Sequence, residues 1–259
     1  MRIVFLSVDD EFAGGMQRHV YERHPEWVVA SVVSTRDIYK RNKFSAVFFI
    51  LMKSGFYYFL QMVRIKIWRK LFSREKMDTP VSLAKAHPTE LFRCADINTN
   101  RSIEKIKTWR PDLIISTNFS HFLGKRVRAI AKYGTWNLHK SYLPYYRGMA
   151  PNFFALLESA PFVGATLHVV NDAFDAGPIL IQVKLTVESK DTVYTLNQKS
   201  SEHGGAMLAE FLEEVDLQAI KATPQPAGPW KTDTYPNRKE IALFRRKGLL
   251  FDGLTSNQE

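Results

Sequence analysis

The chain has 259 residues, 45% of them hydrophobic and 24% charged, an ordinary globular mixture that excludes disordered, collagen-like and coiled-coil proteins. Its net charge of +10 comes almost entirely from residues 36–76, which hold 11 basic and 2 acidic side chains. The rest of the chain carries a net charge of only +1, which argues against a uniformly basic nucleic-acid-binding protein.

Short apolar runs alternate with helical patterns along the chain, which predicts an α/β protein with a mostly parallel, twisted sheet of about seven strands and helices on both faces. The predicted strands are 2–7, 27–34, 91–96, 112–117, 134–139, 163–170 and 179–187. The predicted helices lie near 15–23, 102–108, 124–131 and 151–159, and a later helix capped by Asp191 reaches Leu212.

Residues 36–76 form a basic insertion within the main domain, for which we predict the bounds 1–215. Within its apolar part, 45–72, the 18 positions from Ala46 to Val63 approach the length of a membrane span, but Lys53, Ser54, Gly55 and Gln61 interrupt them. Apolar side chains at helical spacing, followed by clustered basic ones, favour an amphipathic helical pair instead.

Residues 216–259 are predicted as a C-terminal segment. Four prolines between residues 222 and 236 predict extended or looped chain. Beyond them, Asn237 and Glu240 have the spacing of a capping box, so we expect a short helix that ends at Gly248 and packs back on the domain.

The most informative block is GTWNLHKSYLPYYRGMAP, from Gly134 to Pro151. Because side chains alternate along a strand, Asn137 and His139 share one face close to the end of the strand. Ligands of open α/β sheets bind outside the carboxyl ends of the strands. An amide that donates to an oxyanion, beside an imidazole that accepts a proton, suits acyl transfer. An isolated Asn-x-His is also explained by ordinary hydrogen bonding.

A second block, TLHVVNDAFDAGPIL from Thr166 to Leu180, reads as a strand, a polar turn and another strand. Asp175 stands in the turn, 36 residues after His139, where it could orient a histidine or serve as a plain turn residue. Together the two blocks resemble the formyltransferases that use a formyl-tetrahydrofolate donor, over roughly residues 112–214. Lys140 departs from this family, in which most members have proline after the histidine.

The resemblance implies a Rossmann-like fold and a catalytic trio of Asn137, His139 and Asp175. In this family the asparagine stabilises the tetrahedral oxyanion, the histidine takes the amine proton, and the aspartate orients the imidazole. The resemblance further implies 10-formyltetrahydrofolate as the co-substrate, with its pterin along the main chain of two loops, at Thr117, Asn118, Phe119, Val170, Asn171 and Asp172. We expect no metal, since the sequence has no His-Glu-x-x-His or multi-cysteine pattern.

Candidate acceptor-binding residues follow from the loops around this trio. Gly14 and Gly15 are expected in a turn between the first strand and its helix, where free N–H groups would bind a phosphate. A simple glycine turn is the alternative. Ser141, Tyr142 and Arg147, in the loop after the Asn-x-His strand, complete the predicted contacts.

Three acceptor classes compete within the resemblance. Methionyl-tRNA formyltransferases carry a C-terminal β-barrel domain, and only about 45 residues follow Glu214 here. Glycinamide ribonucleotide formyltransferases lack the basic insertion. We therefore favour the N-formyltransferases of nucleotide-linked 4-amino-deoxysugars, which serve O-antigen and lipopolysaccharide synthesis, with GDP-perosamine as the expected acceptor. A basic membrane- or RNA-binding module is the non-enzymatic alternative.

The cysteine content and the N-terminal apolar run predict where the protein is located. The single cysteine, Cys94, excludes a disulfide framework, and the first apolar run is too short for a signal peptide, so a cytoplasmic protein is predicted. We expect a homodimer and no nucleic-acid partner. Residues 45–72 could attract a diphosphate, contact the inner face of the membrane, or present a solvated basic face.

Overall fold

The computed structural model describes residues 1–36, 38, 40–72 and 78–252. Its main sheet contains β1 (Ile3–Ser7), β2 (Val28–Ser34), β3 (Glu90–Cys94), β4 (Leu113–Thr117), β5 (Thr135–His139), β7 (Phe162–Val169) and β8 (Ile179–Thr186), and a small pair joins β6 (Arg147–Gly148) to β9 (Thr232–Asp233). The helices are α1 (Glu11–Arg23), α2 (Lys43–Lys53), α3 (Phe56–Phe72), α4 (Pro80–Ala86), α5 (Asn100–Thr108), α6 (Lys125–Arg128), α7 (Pro151–Leu157), α8 (Val193–Glu214) and α9 (Arg238–Arg246).

The seven-stranded sheet has the order β3-β2-β1-β4-β5-β7-β8. Its first five strands are parallel, whereas β7 and β8 run antiparallel to their neighbours. The strand order reverses between β1 and β4, which opens a crevice at the carboxyl ends of the parallel strands. This architecture confirms the predicted Rossmann-like fold.

The two faces of the sheet pack against different helices. Every residue of β1 and β4 is buried, as expected for parallel strands covered on both sides. One apolar cluster joins the sheet to α1 and α8 through Met16, Trp136 and Leu208. The other joins it to α5 and α6 through Ile103 and Val127. The sheet is therefore a rigid platform for the loops at its edges.

Two predicted helix starts are wrong, for local reasons. The first helix begins at Glu11 because the Asp10 carboxylate accepts the Ala13 N–H at 2.8 Å, which places Gly14 and Gly15 inside the helix. The long helix is capped by Thr192, whose hydroxyl accepts the Thr195 N–H at 3.1 Å. The predicted cap, Asp191, instead accepts the Glu188 N–H at 2.8 Å. Helix α4 was not predicted.

The predicted helical pair in the insertion is confirmed as α2 and α3, and the predicted short C-terminal helix as α9. The side chains of Asn237 and Glu240 close the expected capping box, since the Asn237 N–H donates to Glu240 Oε2 at 2.7 Å. All three helices contribute to one apolar cluster that includes Phe153 and Phe244. Among the described residues, no helix combines the length and apolarity that crossing a bilayer requires. The rest of the basic insertion, at 37, 39 and 73–77, and the end of the chain from 253, lie outside the described residues.

Candidate active site

Three predicted side chains converge at the end of β5. Asn137 and His139 point to one side of this strand, and the turn between β7 and β8 brings Asp175 to them. The Asn137 amide Nδ2 donates to Asp175 Oδ1 at 3.3 Å, and His139 Nδ1 lies 3.6 Å from Asp175 Oδ2. The sequence therefore predicted three residues that do form one cluster.

The Asp175 carboxylate is held from several sides. The Gly148 N–H donates to its Oδ2 at 2.8 Å, and its backbone has a φ of +48°. Burial alone would raise the pKa of this carboxyl, but the neighbouring His139 and His168 and the Gly148 N–H hold that pKa well below its usual value. Asp175 is therefore ionised at neutral pH.

The hydrogen bonds of His139 define its tautomer. His139 Nε2 lies 3.0 Å from the Tyr146 carbonyl oxygen, which can only accept, so Nε2 carries the ring proton and donates it. The lone pair of Nδ1 therefore faces Asp175. Burial lowers the pKa of His139, and this effect outweighs the opposing influence of Asp175. The neutral imidazole is ready to accept a proton beside an ionised carboxylate.

Sequence reasoning missed His168, which completes the polar cluster. It lies directly opposite Asn137 in the antiparallel pairing of β5 with β7. His168 Nδ1 donates to the Val169 carbonyl at 3.1 Å, so its Nε2 accepts from the Asn137 amide at 3.1 Å. His168 thus fixes the orientation of the Asn137 amide. Only the strand register, which the sequence does not supply, reveals this partner.

Sequence reasoning also missed Gln225, in the proline-rich segment after α8. The Gln225 amide donates to the carbonyls of Asp175 and Gly177, each at 2.8 Å. Its Oε1 accepts from the Arg147 guanidinium, with Nε at 3.2 Å. Close by, β9 pairs with β6 at Arg147 and Gly148. The C-terminal segment therefore holds both loops that carry the site.

The predicted pterin loops follow β4 and β7 and meet through Phe122 and Phe174, whose ring centroids are 5.5 Å apart. The side chains within them are largely engaged inside the protein. In the loop after β4, Thr117 Oγ1 accepts a hydrogen bond from Gln17, the Asn118 amide donates to Asp10, and the Phe119 ring packs on His121. In the loop after β7, the Val170 N–H donates to the Thr135 carbonyl, the Asn171 side chain accepts the Ala173 N–H, and Asp172 forms an ion pair with Arg128. Contact with a pterin through these residues stays a prediction.

The predicted phosphate-binding turn at Gly14 and Gly15 is absent, because both residues lie inside α1. The Gly14 N–H donates to the Asp10 carbonyl at 3.0 Å, and a Cβ at Gly14 would lie 1.9 Å from the Asp78 carbonyl oxygen. Close packing explains this glycine. In addition, Asp9, Asp10 and Glu11 make the start of α1 acidic, which disfavours a phosphate there.

The other predicted acceptor residues shape the loop after β5. The Ser141 hydroxyl is buried and donates to the Tyr145 carbonyl at 2.8 Å. The Tyr142 ring packs on Phe162 with a centroid distance of 5.7 Å. Arg147 is half-buried, and its hydrogen-bonded partner, Gln225, is a neutral amide. Of these three, Arg147 is the side chain with a charge to offer an anion.

Lys140, the departure from the family pattern, lies half-buried next to the start of α1. Its Nζ stands 4.8 Å from the centre of the Phe12 ring. Burial lowers the pKa of Lys140, and the charges of Asp10 and Glu11 oppose this effect. Lys140 therefore balances the acidic turn rather than extending toward Asp175. In the described part of the chain, no group of three His, Cys, Asp or Glu side chains could hold a metal ion.

Comparison with known proteins agrees with this geometry. Residues 1–212 match the family described as Formyl transferase. A methionyl-tRNA formyltransferase of Ehrlichia ruminantium (strain Gardel) is 35% identical over 139 residues, which cover 53% of this chain and 46% of that protein. The chain thus spans about half the length of such relatives.

Solved structures show the same fold at low sequence identity. An N-formyltransferase of Helicobacter canadensis, in complex with folinic acid and dTDP-3-aminofucose, has a TM-score of 0.60 at 13% identity, covering 91% of this chain and 71% of that one. A phosphoribosylglycinamide formyltransferase of Anaplasma phagocytophilum has a TM-score of 0.60 at 17% identity, covering 89% of this chain and 96% of that one. Since the family match extends over residues 1–212, the chain belongs to the formyl transferase family.

Proposed function

We propose that this protein transfers a formyl group from 10-formyltetrahydrofolate to the amino group of a nucleotide-linked 4-amino-deoxysugar. GDP-perosamine is the specific acceptor proposed, with the product used for O-antigen or other surface polysaccharide. The observation that carries formyl transfer is the convergence of Asn137, His139 and Asp175 in a chain of the formyl transferase family.

The proposed reaction begins when the neutral acceptor amine attacks the formyl carbon of the donor. The carbonyl electron pair moves to oxygen, and the Asn137 amide donates to the resulting oxyanion. One amide N–H stays on His168 at 3.1 Å, while the longer contact, 3.3 Å to Asp175, is the one the oxyanion replaces.

Proton transfer completes the step. The attacking nitrogen loses a proton to His139 Nδ1, directly or through one water, and Asp175 stabilises the imidazolium that forms. The tetrahedral intermediate then collapses, the bond between the formyl carbon and N10 breaks, and the departing N10 takes the proton back from His139. Each proton and electron pair is accounted for, and the trio returns to its starting state.

A nucleotide-sugar acceptor is supported by the charges around the site. The acidic turn of Asp9, Asp10 and Glu11 disfavours a phosphate directly after β1. Arg147, by contrast, follows β5, the strand that carries Asn137 and His139, and hydrogen-bonds to the neutral Gln225. In the proposal Arg147 binds the diphosphate, and the amino sugar reaches past it to His139.

A methionyl-tRNA acceptor is the second candidate, because the relatives of this name reach 35% identity. Glycinamide ribonucleotide is a third, supported by the similar fold of a phosphoribosylglycinamide formyltransferase. Both share the donor and the proposed trio, so only the acceptor distinguishes the three candidates.

A panel of acceptors tests the proposal. Purified protein is incubated with 10-formyltetrahydrofolate and, separately, GDP- and dTDP-linked 4-amino sugars, glycinamide ribonucleotide or methionyl-tRNA, and the formylated product is measured by mass spectrometry. We expect turnover of a nucleotide-linked amino sugar, with the GDP form preferred. Turnover of methionyl-tRNA or glycinamide ribonucleotide alone would overturn the acceptor, and no turnover of any would overturn formyl transfer.

We further propose a cytoplasmic homodimer. The buried free thiol of Cys94 suits a reducing compartment, and we place the pairing surface on the outward side of α9, which carries the partly exposed Leu243. Sedimentation velocity across a concentration series measures the association. A monomer at assay concentration would contradict it.

A further inference from the structure

One face of the helical pair α2–α3 is apolar and exposed. Phe44 is 89%, Phe48 67% and Phe56 68% exposed. The full exposed set recurs at helical spacing on both helices and comprises Phe44, Val47, Phe48, Met52, Phe56, Leu60 and Ile67. Scattered exposed apolar side chains are ordinary in proteins, but seven large ones within two adjacent helices mark an interaction surface.

The opposite face of the helical pair is firmly docked. The Ser54 hydroxyl donates to the Pro236 carbonyl at 2.6 Å, and Arg64 Nη2 lies 2.6 Å from the buried carboxylate of Asp252. The Tyr58 ring is only 6% exposed and packs on Phe251 at 5.5 Å. The helices are therefore fixed to the domain, and their outward face is held in a defined orientation.

The charge on the helical pair has a single sign. Residues 43–72 contain six basic side chains and no Asp or Glu. On α3, at 100° per residue, the exposed Lys66 borders the stripe of Phe56, Leu60 and Ile67 on one side, and Arg64, whose guanidinium pairs with Asp252, lies on the other. An exposed cation beside an apolar stripe, on a helical pair that has no acidic side chain, is typical of helices that lie in a membrane interface.

We propose that α2 and α3 bind an anionic lipid surface, lying in its interface without crossing it. A second copy of the chain fits this face less well, since a twofold contact would bring two helical pairs, each of net charge +6, against each other. Lipid phosphates instead neutralise these charges while the aromatic side chains enter the acyl boundary. This inference does not depend on the proposed acceptor.

The helical pair leaves the sheet at the end where the site lies. It leaves the sheet after Ser34, the carboxyl end of β2, and the carboxyl end of β5 carries His139 on the same edge.

Vesicle flotation of the full chain tests the inference. We expect flotation with vesicles of phosphatidylcholine and phosphatidylglycerol, much less with phosphatidylcholine alone, and loss of flotation in high salt. The triple variant Phe44→Ser/Phe48→Ser/Phe56→Ser should lower the partition coefficient by roughly a hundredfold or more, because it removes most of the exposed aromatic area. Lys66→Glu should lower it roughly tenfold or more.

Matched controls keep the outcome clear. Lys132→Glu makes the same charge change at an exposed position before β5, at the other edge of the sheet, and should alter flotation far less than Lys66→Glu. Circular dichroism and a thermal melt confirm that each variant folds. No flotation with anionic vesicles, or equal flotation of the triple variant and the unaltered protein, overturns the inference. Concentration-dependent pairing that the triple variant abolishes, without lipid binding, assigns the face to a second copy instead.

Discussion

Replacement of Asp175 by asparagine probes the charge in the site with little change of shape. The carboxylate oxygen lies 3.6 Å from His139 Nδ1, where the proposed reaction places a proton. At an effective dielectric constant of about 20, two unit charges at this distance attract by about 4 to 5 kcal/mol. Loss of this attraction as the imidazolium forms should lower kcat/KM on the order of a thousandfold.

The assay for Asp175→Asn is steady-state formyl transfer across a pH series. Without the carboxylate, only the hydrogen bond to the Tyr146 carbonyl still opposes the effect of burial on His139, so the pKa of His139 falls further and the acid limb of the pH profile moves to lower pH. The control Asp216→Asn removes an exposed carboxylate beyond α8 and should leave both rate and profile unchanged. If Asp175→Asn keeps more than a tenth of kcat/KM, or its acid limb moves to higher pH, the electrostatic reasoning is refuted.

Three further predictions concern the same site. Asn137→Ala should lower kcat roughly 10²–10³-fold, while the affinity for folate, measured by fluorescence, stays unchanged. An unchanged kcat would contradict the proposal that Asn137 stabilises the oxyanion. In the unaltered protein, the fall in kcat that protonation of His139 causes, measured at saturating acceptor, should lie below pH 6.5, since burial holds the pKa of His139 under that ordinary value. The same fall at a pH above 6.5, once the separate titration of the acceptor amine is taken into account, would contradict this. Gln225→Ala should lower kcat about tenfold and raise KM for the acceptor, because Asp175 and Arg147 each lose a hydrogen bond that positions them. A change in thermal stability without a change in kcat or KM would show that Gln225 has only a packing role.

The site also depends on the C-terminal segment, which lies outside the residues that match the family. The match ends at residue 212, yet Gln225 and β9 hold the loops of Asp175 and Arg147. Proteins that share the first 212 residues can therefore differ in how this edge of the site is built. The acceptor preference is the property such a difference would affect first.

The fold was accessible from the sequence because it rests on local patterns, whereas the grouping of Asn137, His139 and Asp175 was implied by the resemblance to the formyl-tetrahydrofolate-dependent formyltransferases. Apolar runs mark the strands, and the alternation along β5 places Asn137 and His139 on one side. The capping box of Asn237 and Glu240 is equally local, which is why α9 was predicted with its start correct.

The remaining features depend on contacts distant along the chain. His168 is opposite Asn137 only because of the strand register, and Gln225 reaches Asp175 across 50 residues. The predicted turn at Gly14 and Gly15 was wrong for a different reason. Two adjacent glycines suggested a turn, but Asp10 begins the helix before them, and Gly14 is small because Asp78 lies against it.

Single-turnover formyl transfer tests the central claim most directly. The protein is mixed with 10-formyltetrahydrofolate and a GDP-linked 4-amino sugar, and the N-formyl product is followed by mass spectrometry for the unaltered chain and for His139→Ala. We expect the unaltered chain to form the N-formyl sugar nucleotide and His139→Ala to form it roughly 10²–10⁴ times more slowly. Equal rates for the two proteins, or no formylation of the amino sugar by the unaltered chain, would contradict it.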